Sequence, residues 1–390
     1  MDKQKLNWWQ GLLVIIVSVV FAALFTRFLT SDFSSLDIFA PIEKKVDFQV
    51  TDIYNMVEEK RQGRPISQDI IVVSVDECDR EQLLTVIDTI ASLDVKAIGL
   101  DIYFAIEKKD SCNARLKATI ENTTKMVNLT MVEKVADKTY YRPLNLSFYQ
   151  NQGFQPDHIG YGNLNADHSW EVIRTFTPYV LDSAGGMIPS LALEVASVAE
   201  PEKATRFIED RGKEEIIDFT GKEIEVIPAR RLAKPSVRER LQGKIVMIGI
   251  VEDNKDTYLT PLREPAAGIL IHSYALQTIL NDEPIVVRAA WIDWLIAIGL
   301  GLILVIMLFF ATECDSLRYV LNFGIRLSLF VCMYLLVYRG CDVFADSHVY
   351  ADYTPSIMML PFATLAFDIV YAAVGFIVQC YQKFNPDKSC

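Results

Sequence analysis

The chain has 390 residues, and its apolar fraction of 51% and mean hydropathy of +0.21 are high for a wholly soluble protein. A net charge of −12 gives no indication of the basic surface with which proteins bind nucleic acid. The seven cysteines and four histidines include no C-x-x-C pair and no zinc-type spacing. Composition therefore predicts neither a disulfide-rich nor a zinc-stabilised scaffold.

Four apolar runs are long enough, at about 20 residues each, to cross the hydrocarbon core of a membrane. They occupy residues 8–29, 291–311, 319–338 and 355–380. The first run follows Lys3 and Lys5 and lacks a small-residue cleavage site, which favours an uncleaved signal anchor over a secretory signal peptide. The sequence therefore predicts a membrane protein with four transmembrane α-helices.

The charges around these runs predict the topology. Lys3 and Lys5 favour a cytoplasmic N-terminus, and the segment 339–354, with one Arg and three Asp, is typical of an outer loop. We therefore expect a cytoplasmic location for residues 1–7, 312–318 and 381–390, and an outer location for residues 30–290 and 339–354. The large outer segment is long enough to form a substantial core.

This outer segment alternates between strand and helix patterns. Residues 69–75 and 95–104 are apolar runs on either side of a helical pattern at 79–93, which predicts a parallel βαβ unit. Further strands are predicted at 125–132 and 244–251, a hairpin from 216–219 and 223–228, and helices at 34–60, 187–200 and 266–281. We expect an α/β domain with a mixed, largely parallel sheet covered by helices.

The segments IIVVSVDE, KAIGLDIYF, GKIVMIGIVEDNKDTYLTP and AGILIHSYALQTIL occur in this order within residues 34–290. In order and spacing they resemble the second class of CHASE domains. These are extracellular sensory domains associated with cyclases and histidine kinases, and three membrane spans usually follow them. The resemblance implies a chiefly bacterial family, a location in the inner membrane, and functional positions at Asp76, Asp101 and Asp256.

The sequence departs from the family pattern in three respects. Asp167 and Arg174 match the family's acidic-glycine-arginine segment, but its glycine and the usual tryptophan–proline segment are absent. About ten residues follow the last apolar run, where family members commonly continue into a kinase or cyclase domain. We therefore expect the chain to act through a separate partner protein.

Carboxylates follow the predicted parallel strands. Asp76 and Glu77 follow the first strand, Asp101 lies in the second, and Asp256 comes after the strand at 244–251. Loops at the carboxyl ends of parallel strands converge on a crevice where ligands bind. These side chains suit a cation, an amine or an oxygen-ligated metal, or they cap helices and turns instead. His272 lies among apolar neighbours, so core packing is its expected role.

Two other pairs are candidates of different kinds. Arg174 and Arg263 could each hold a carboxylate or phosphate, or form surface salt bridges. Cys78 and Cys112 each follow a strand of the βαβ unit, and outside the cytoplasm they could form a disulfide. The bond would close a loop of about 35 residues and contribute roughly 3–4 kcal/mol. Two free thiols on separate loops are the alternative.

Two charged residues lie deep inside the predicted spans, well away from the ends. Arg326 and Asp368 are roughly 10 and 15 Å from the cytoplasmic ends of their helices, at 1.5 Å of rise per residue. Charged groups in lipid are costly and usually pair or face a polar interior. We expect an interhelical salt bridge, with pairing to a partner protein as the alternative.

The leading functional hypothesis is a membrane sensor or accessory subunit, without enzymatic activity or a cofactor, that binds a small ligand or partner outside. A scaffolding envelope protein without a ligand, a metal-dependent extracytoplasmic hydrolase and a transporter are the alternatives. The sequence predicts contact with the membrane and a partner protein, is compatible with a homo-oligomer, and predicts no nucleic-acid binding. It assigns no metal.

Overall fold

The computed structural model describes residues 6–30, 49–62, 65–75, 80–104, 112–144, 156–165, 172–211, 214–252, 256–262, 265–281, 285–314 and 316–384. The chain forms two compact units. One is an α/β unit that extends from residue 55 to residue 285, and the other is a mainly helical unit that includes residues 286–390.

The α/β unit is organised around a six-stranded sheet in which every neighbouring pair of strands is parallel. In spatial order its strands are β11 (Glu223–Pro228), β1 (Ile66–Ser74), β12 (Ile245–Gly249), β2 (Ala97–Asp101), β3 (Met126–Thr130) and β6 (His158–Tyr161). The central strands β12 and β2 are almost entirely buried, as expected for apolar strands covered on both faces.

Helices cover both faces of this sheet. One face carries α3 (Arg80–Ala91), α4 (Asn113–Asn122) and α7 (Pro235–Leu241), and the other carries α5 (Leu191–Ala199), α6 (Pro201–Asp210) and α8 (Gly268–Leu280). Successive side chains of a strand point to opposite faces. Ile71 and Val73 therefore pack under the first group of helices, while Ile70 and Val72 pack under the second. Each such buried side chain stabilises the fold by about 1.5–3 kcal/mol.

The prediction of a mixed sheet with a hairpin from 216–219 and 223–228 was wrong. Strand β11 instead pairs in parallel with β1, and β10 (Glu215–Ile216) pairs with β7 (Thr175–Phe176). The reason is burial. Ile217 and Phe219 are almost fully buried, and the Phe219 ring lies 5.4 Å from the ring of Tyr274 on α8, so this segment belongs to the core.

Antiparallel pairing in the described part of the α/β unit occurs in short two-stranded ladders outside the main sheet. Besides β7–β10, these are β4 (Val132–Lys134) with β5 (Tyr141–Pro143), β8 (Tyr179–Leu181) with β9 (Met187–Pro189), and β13 (Thr257–Tyr258) with β14 (Ala266–Ala267). A short 3-10 helix, Ala229–Ala233, follows β11. Helix α2 (Val50–Gln62) precedes the sheet in the chain, and the earlier part of the helix predicted at 34–60 lies outside the described residues.

The helical unit contains four helices long and apolar enough to cross a membrane. They are α1 (Trp8–Thr30), α9 (Ala290–Glu313), α10 (Arg318–Ser347) and α11 (Thr354–Phe384), with Pro361 inside the last. Their positions match the four apolar runs of the sequence. Helix α10 continues nine residues beyond the run that ends at residue 338, and β15 (Val286–Val287) pairs in parallel with β16 (Val349–Tyr350).

Candidate functional site

The carboxyl edge of the sheet brings together side chains from distant parts of the α/β unit. Asp101 is the last residue of β2 and pairs in register with Gly249, the last residue of β12. A Cβ atom at Gly249 would lie 2.6 Å from Ile269 Cδ1 and 3.2 Å from Asp101 Cβ. The glycine therefore lets strand β12 and helix α8 approach closely beside the Asp101 side chain.

Asp256 reaches the same edge from the loop that follows β12. Its carboxylate lies beside the first turn of α8, since a Cβ atom at Gly268 would be 2.7 Å from Asp256 Oδ2. The Gly268 N–H also donates to the Asp256 carbonyl, at 3.1 Å. The hydroxyl of Tyr258 donates a hydrogen bond to the Asp256 carboxylate. Only a residue without a side chain fits between this carboxylate and the helix.

His272 lies one helical turn after Gly268 on α8 and completes a group that we call the carboxyl-edge cluster: Asp101, Asp256, Tyr258 and His272. Its imidazole is buried, has a backbone hydrogen bond with Gly162, and experiences the charge of Asp256. The expectation that His272 only packs in the core is therefore incomplete, because the ring also has a polar partner in Gly162 and is within range of the charge of Asp256.

The cluster shifts the ionisation of its members in opposite directions. Burial and the negative charge of Asp256 raise the pKa of Asp101 to about 7. Burial lowers the pKa of His272 to about 4, although Asp256 and Gly162 act in the other direction. Burial and Asp256 also raise the pKa of Tyr258. At neutral pH the cluster therefore contains both a carboxyl close to its titration point and a neutral imidazole.

Several residues singled out from the sequence have other positions. Arg174 lies before β7, where its Nη1 is 3.4 Å from the carbonyl oxygen of Val172. Cys112 directly precedes α4. The remaining ones, Asp76, Glu77, Cys78, Asp167 and Arg263, lie outside the described residues. The Cys78–Cys112 disulfide therefore stays a prediction.

The donor set of the cluster offers carboxylate, phenol and imidazole groups to a ligand. Within the described ranges, no three His, Cys, Asp or Glu side chains are grouped so that they could hold a metal ion. Because the pKa of Asp101 is close to neutral pH, a bound ligand can shift this carboxyl between its neutral and its charged form. An amine or another hydrogen-bond donor would favour the charged form.

In the helical unit, the structure brings Arg326 and Asp368 into contact. Arg326 Nη2 donates to both carboxylate oxygens of Asp368, at 2.6 and 2.8 Å, so the pair joins α10 to α11. Both side chains are partly exposed, at 39% and 49%. Two further polar contacts link the same helices to α9: Tyr371 with Glu313 at 2.8 Å, and Asn322 with Thr312 at 3.4 Å.

Four helices long and apolar enough to cross a membrane, together with an α/β unit whose six-stranded main sheet is wholly parallel, are the features of a membrane protein with a folded domain. The model of one protein family, the CHASE2 domain, matches residues 13–310. The chain therefore belongs to the CHASE2 domain family, whose members are extracellular sensory domains. No curated protein and no solved structure gives a significant match.

The family match extends beyond the segment 34–290 in which the resemblance was found, into α1 and α9. Sequence reasoning missed Tyr258 as a site residue and gave His272 no partner. A signal for both exists in the sequence. Tyr258 follows Asp256 by two residues, and His272 follows Gly268 by four, which places it on the same face of α8.

Proposed function

We propose that this protein is a membrane-anchored sensory subunit whose α/β unit lies outside the cytoplasm and binds a small ligand at the carboxyl-edge cluster. The C-terminal helices then pass the state of this unit to a separate partner protein. In this proposal the protein resides in a bacterial inner membrane, with both termini in the cytoplasm. Sensing, rather than catalysis, is the activity for which the family is known.

The carboxyl-edge cluster is the observation that carries this proposal. Buried ionisable groups are costly, and groups with strongly shifted pKa values concentrate at functional sites. The carboxyl end of a parallel sheet is also where α/β proteins bind ligands. A ligand that favours one ionisation state of Asp101 would bind one state of the unit more tightly, as any conformational signal requires.

Contacts within the helical unit support the proposed topology. Strand β15 directly precedes α9, and strand β16 lies between α10 and α11, yet the two pair in parallel. Arg288, the residue directly after β15, also forms an ion pair with Asp293 in the first turn of α9. The start of α9 and the α10–α11 connection therefore lie at the same end of the helices, as an outer location for both requires.

Contacts among the three C-terminal helices support a relay. The Arg326–Asp368 pair and the contacts of Glu313 and Thr312 join α9, α10 and α11 in all three pairwise combinations. Helices tied in this way move together more readily than independent ones. Inside a bilayer, the exposed part of the Arg326–Asp368 pair would also favour a polar contact with a partner protein.

The test is affinity purification of the tagged full-length chain from native membranes, in parallel with Asp101→Asn. We expect a stoichiometric partner to accompany the wild-type chain, and the amount or activity of that partner to change with Asp101→Asn. Asp137→Asn, in the turn between β4 and β5, is the matched control. Recovery of the wild-type chain alone would contradict the proposal. A partner that responds identically to all three chains would favour a scaffold.

A further inference from the structure

A separate cavity of about 350 Å³ opens at the amino edge of the main sheet, at the opposite strand ends from the carboxyl-edge cluster. Its walls include the beginning of β1, the first residue of β12, and the residues directly before β2 and β11. The last turn of α8 and the first turn of α6 close the other side. This volume lies within the range of small-molecule sites in proteins.

The charged groups of the cavity favour an anion. Three lysines line it, Lys96, Lys203 and Lys222, against two carboxylates, Asp69 and Glu200. Lys96 forms an ion pair with Glu200. Each lysine ammonium group has three hydrogen-bond donors, so one protein partner leaves donors for a ligand.

The other two lysines have still weaker protein partners. Lys203 Nζ donates to the carbonyl oxygen of Leu280, at 3.1 Å, and the carboxylate in the cavity wall that its charge affects is that of Glu200, with which Lys96 already pairs. Lys222 Nζ is 3.9 Å from Asp69 Oδ2, which is too long for a hydrogen bond. The cavity therefore holds more positive charge than its own carboxylates neutralise.

Gln277 provides an independent indication of a ligand. Its side chain lines the cavity, yet the residue is only 4% exposed. Its Nε2 donates to the carbonyl oxygen of Lys222, at 3.0 Å, whereas Oε1 is buried and accepts no hydrogen bond from the described residues. Gly221 allows this placement, because a Cβ atom there would be 2.8 Å from Nε2. A buried acceptor without a donor is costly, and a ligand hydroxyl would satisfy it.

We propose that this cavity binds a small organic anion that carries a hydroxyl group. The amino groups of Lys96, Lys203 and Lys222 bind its carboxylate or phosphate, and Gln277 Oε1 accepts a hydrogen bond from its hydroxyl. The site is distinct from the carboxyl-edge cluster and prefers ligands of the opposite charge. A role for this anion in signalling rests on the proposed sensory function, whereas its binding rests on the cavity alone.

The test is titration calorimetry of the full-length chain in detergent micelles with L-malate, succinate and inorganic phosphate as probes. Malate and succinate carry the same two carboxylates, but succinate lacks the hydroxyl. We expect malate to bind about tenfold more tightly than succinate, because succinate leaves Gln277 Oε1 unsatisfied. Binding of none of the three probes at millimolar concentration would overturn the proposal, and equal binding of malate and succinate would overturn the role of Gln277.

Variants assign the binding to this cavity. Lys96→Gln and Lys222→Gln are expected to weaken malate binding about 10- to 100-fold each, because each removes a charged hydrogen bond. Gln277→Met keeps the side-chain volume and is expected to abolish the preference for malate over succinate. Lys138→Gln, in the exposed turn between β4 and β5, is the matched control and leaves binding unchanged.

The Asp101→Asn variant distinguishes a failure of the proposed anion site from a failure of the proposed sensory function. The variant alters the carboxyl-edge cluster and is expected to bind malate like the wild-type chain. Loss of malate binding in Asp101→Asn but not in Lys96→Gln and Lys222→Gln would assign the anion to the carboxyl edge and overturn the amino-edge site. A missing partner in the purification from membranes, with malate binding intact, would contradict the sensory function alone.

Discussion

Asp101 and His272 are expected to influence the stability of the α/β unit in opposite directions as the pH changes. The folded protein holds the Asp101 proton up to a pKa of about 7, whereas the unfolded chain loses it above the ordinary pKa of 3.8. Between these pH values the unfolded chain binds fewer protons than the folded one. This carboxyl therefore lowers the free energy of unfolding by at most about 4 kcal/mol as the pH rises from about 4 to about 7.

His272 contributes the opposite trend. Burial lowers its pKa in the folded protein to about 4, whereas the unfolded chain takes up a proton below the ordinary pKa of 6.5. Below that pH the unfolded chain binds more protons, so the free energy of unfolding due to His272 rises by about 3 kcal/mol between about pH 4 and about pH 6.5. In the wild-type chain the two contributions nearly cancel over this range.

Single substitutions separate the two contributions. Asp101→Asn keeps the size of the side chain but does not ionise, so its free energy of unfolding is expected to rise by about 4 kcal/mol relative to wild type between about pH 4 and about pH 7. His272→Gln is expected to show a fall of about 3 kcal/mol relative to wild type between about pH 4 and about pH 6.5. Pulse proteolysis in urea, on the full-length chain in detergent micelles, measures these differences at a series of pH values.

Comparison with wild type at each pH removes the contribution of all other carboxylates. Asp137→Asn, which changes an exposed carboxyl in a turn, serves as the control and is expected to follow the wild-type profile. Profiles of Asp101→Asn and His272→Gln that run parallel to wild type would refute the reasoning. That result would mean that both side chains titrate in the folded protein as they do in the unfolded chain.

Two further predictions concern close packing and the helical unit. Gly268→Ala places a Cβ atom 2.7 Å from Asp256 Oδ2, so we expect a loss of about 1–3 kcal/mol in urea unfolding, whereas Gly324→Ala, with open space around it, costs nothing measurable. Reversing Arg326 to Asp or Asp368 to Arg singly is expected to lower the yield of folded protein and its melting temperature in detergent, and the double reversal to recover at least half of the loss. A double variant no better than the worse single one would mean that the contact in the structure does not stabilise the protein.

The sequence was informative wherever a local pattern had one physical solution. Uninterrupted apolar runs such as residues 69–75 and 244–251 can be buried on both faces only inside a sheet covered by helices, and they form β1 and β12. The hairpin at 216–219 failed for the converse reason. A short apolar segment can be an edge strand or a core loop, and the packing of Phe219 against Tyr274 decided for the core.

The residues of the candidate site were likewise predicted only in part from the sequence. The predicted strands alone led us to expect that Asp101 and Asp256 lie close together, since one ends a parallel strand and the other comes after one. The approach of α8 to the sheet, permitted by Gly249 and Gly268, placed His272 beside Asp256, and this approach depends on the packing of the whole unit. Desolvation of Asp101 likewise arises from surrounding atoms that are far away in the chain.

The sequence by itself determined the four helices long and apolar enough to cross a membrane, the parallel βαβ core and the family, because length, hydropathy and strand periodicity are properties of contiguous residues. Tertiary structure alone added Tyr258 and His272 to the carboxyl-edge cluster and formed the amino-edge cavity. Lys96, Lys222 and Gln277 are separated by more than fifty residues from one another, and only the crossing of α8 over the strand ends brings them to one cavity. Charge and burial at a site are sums over such neighbours, which no local stretch of sequence contains.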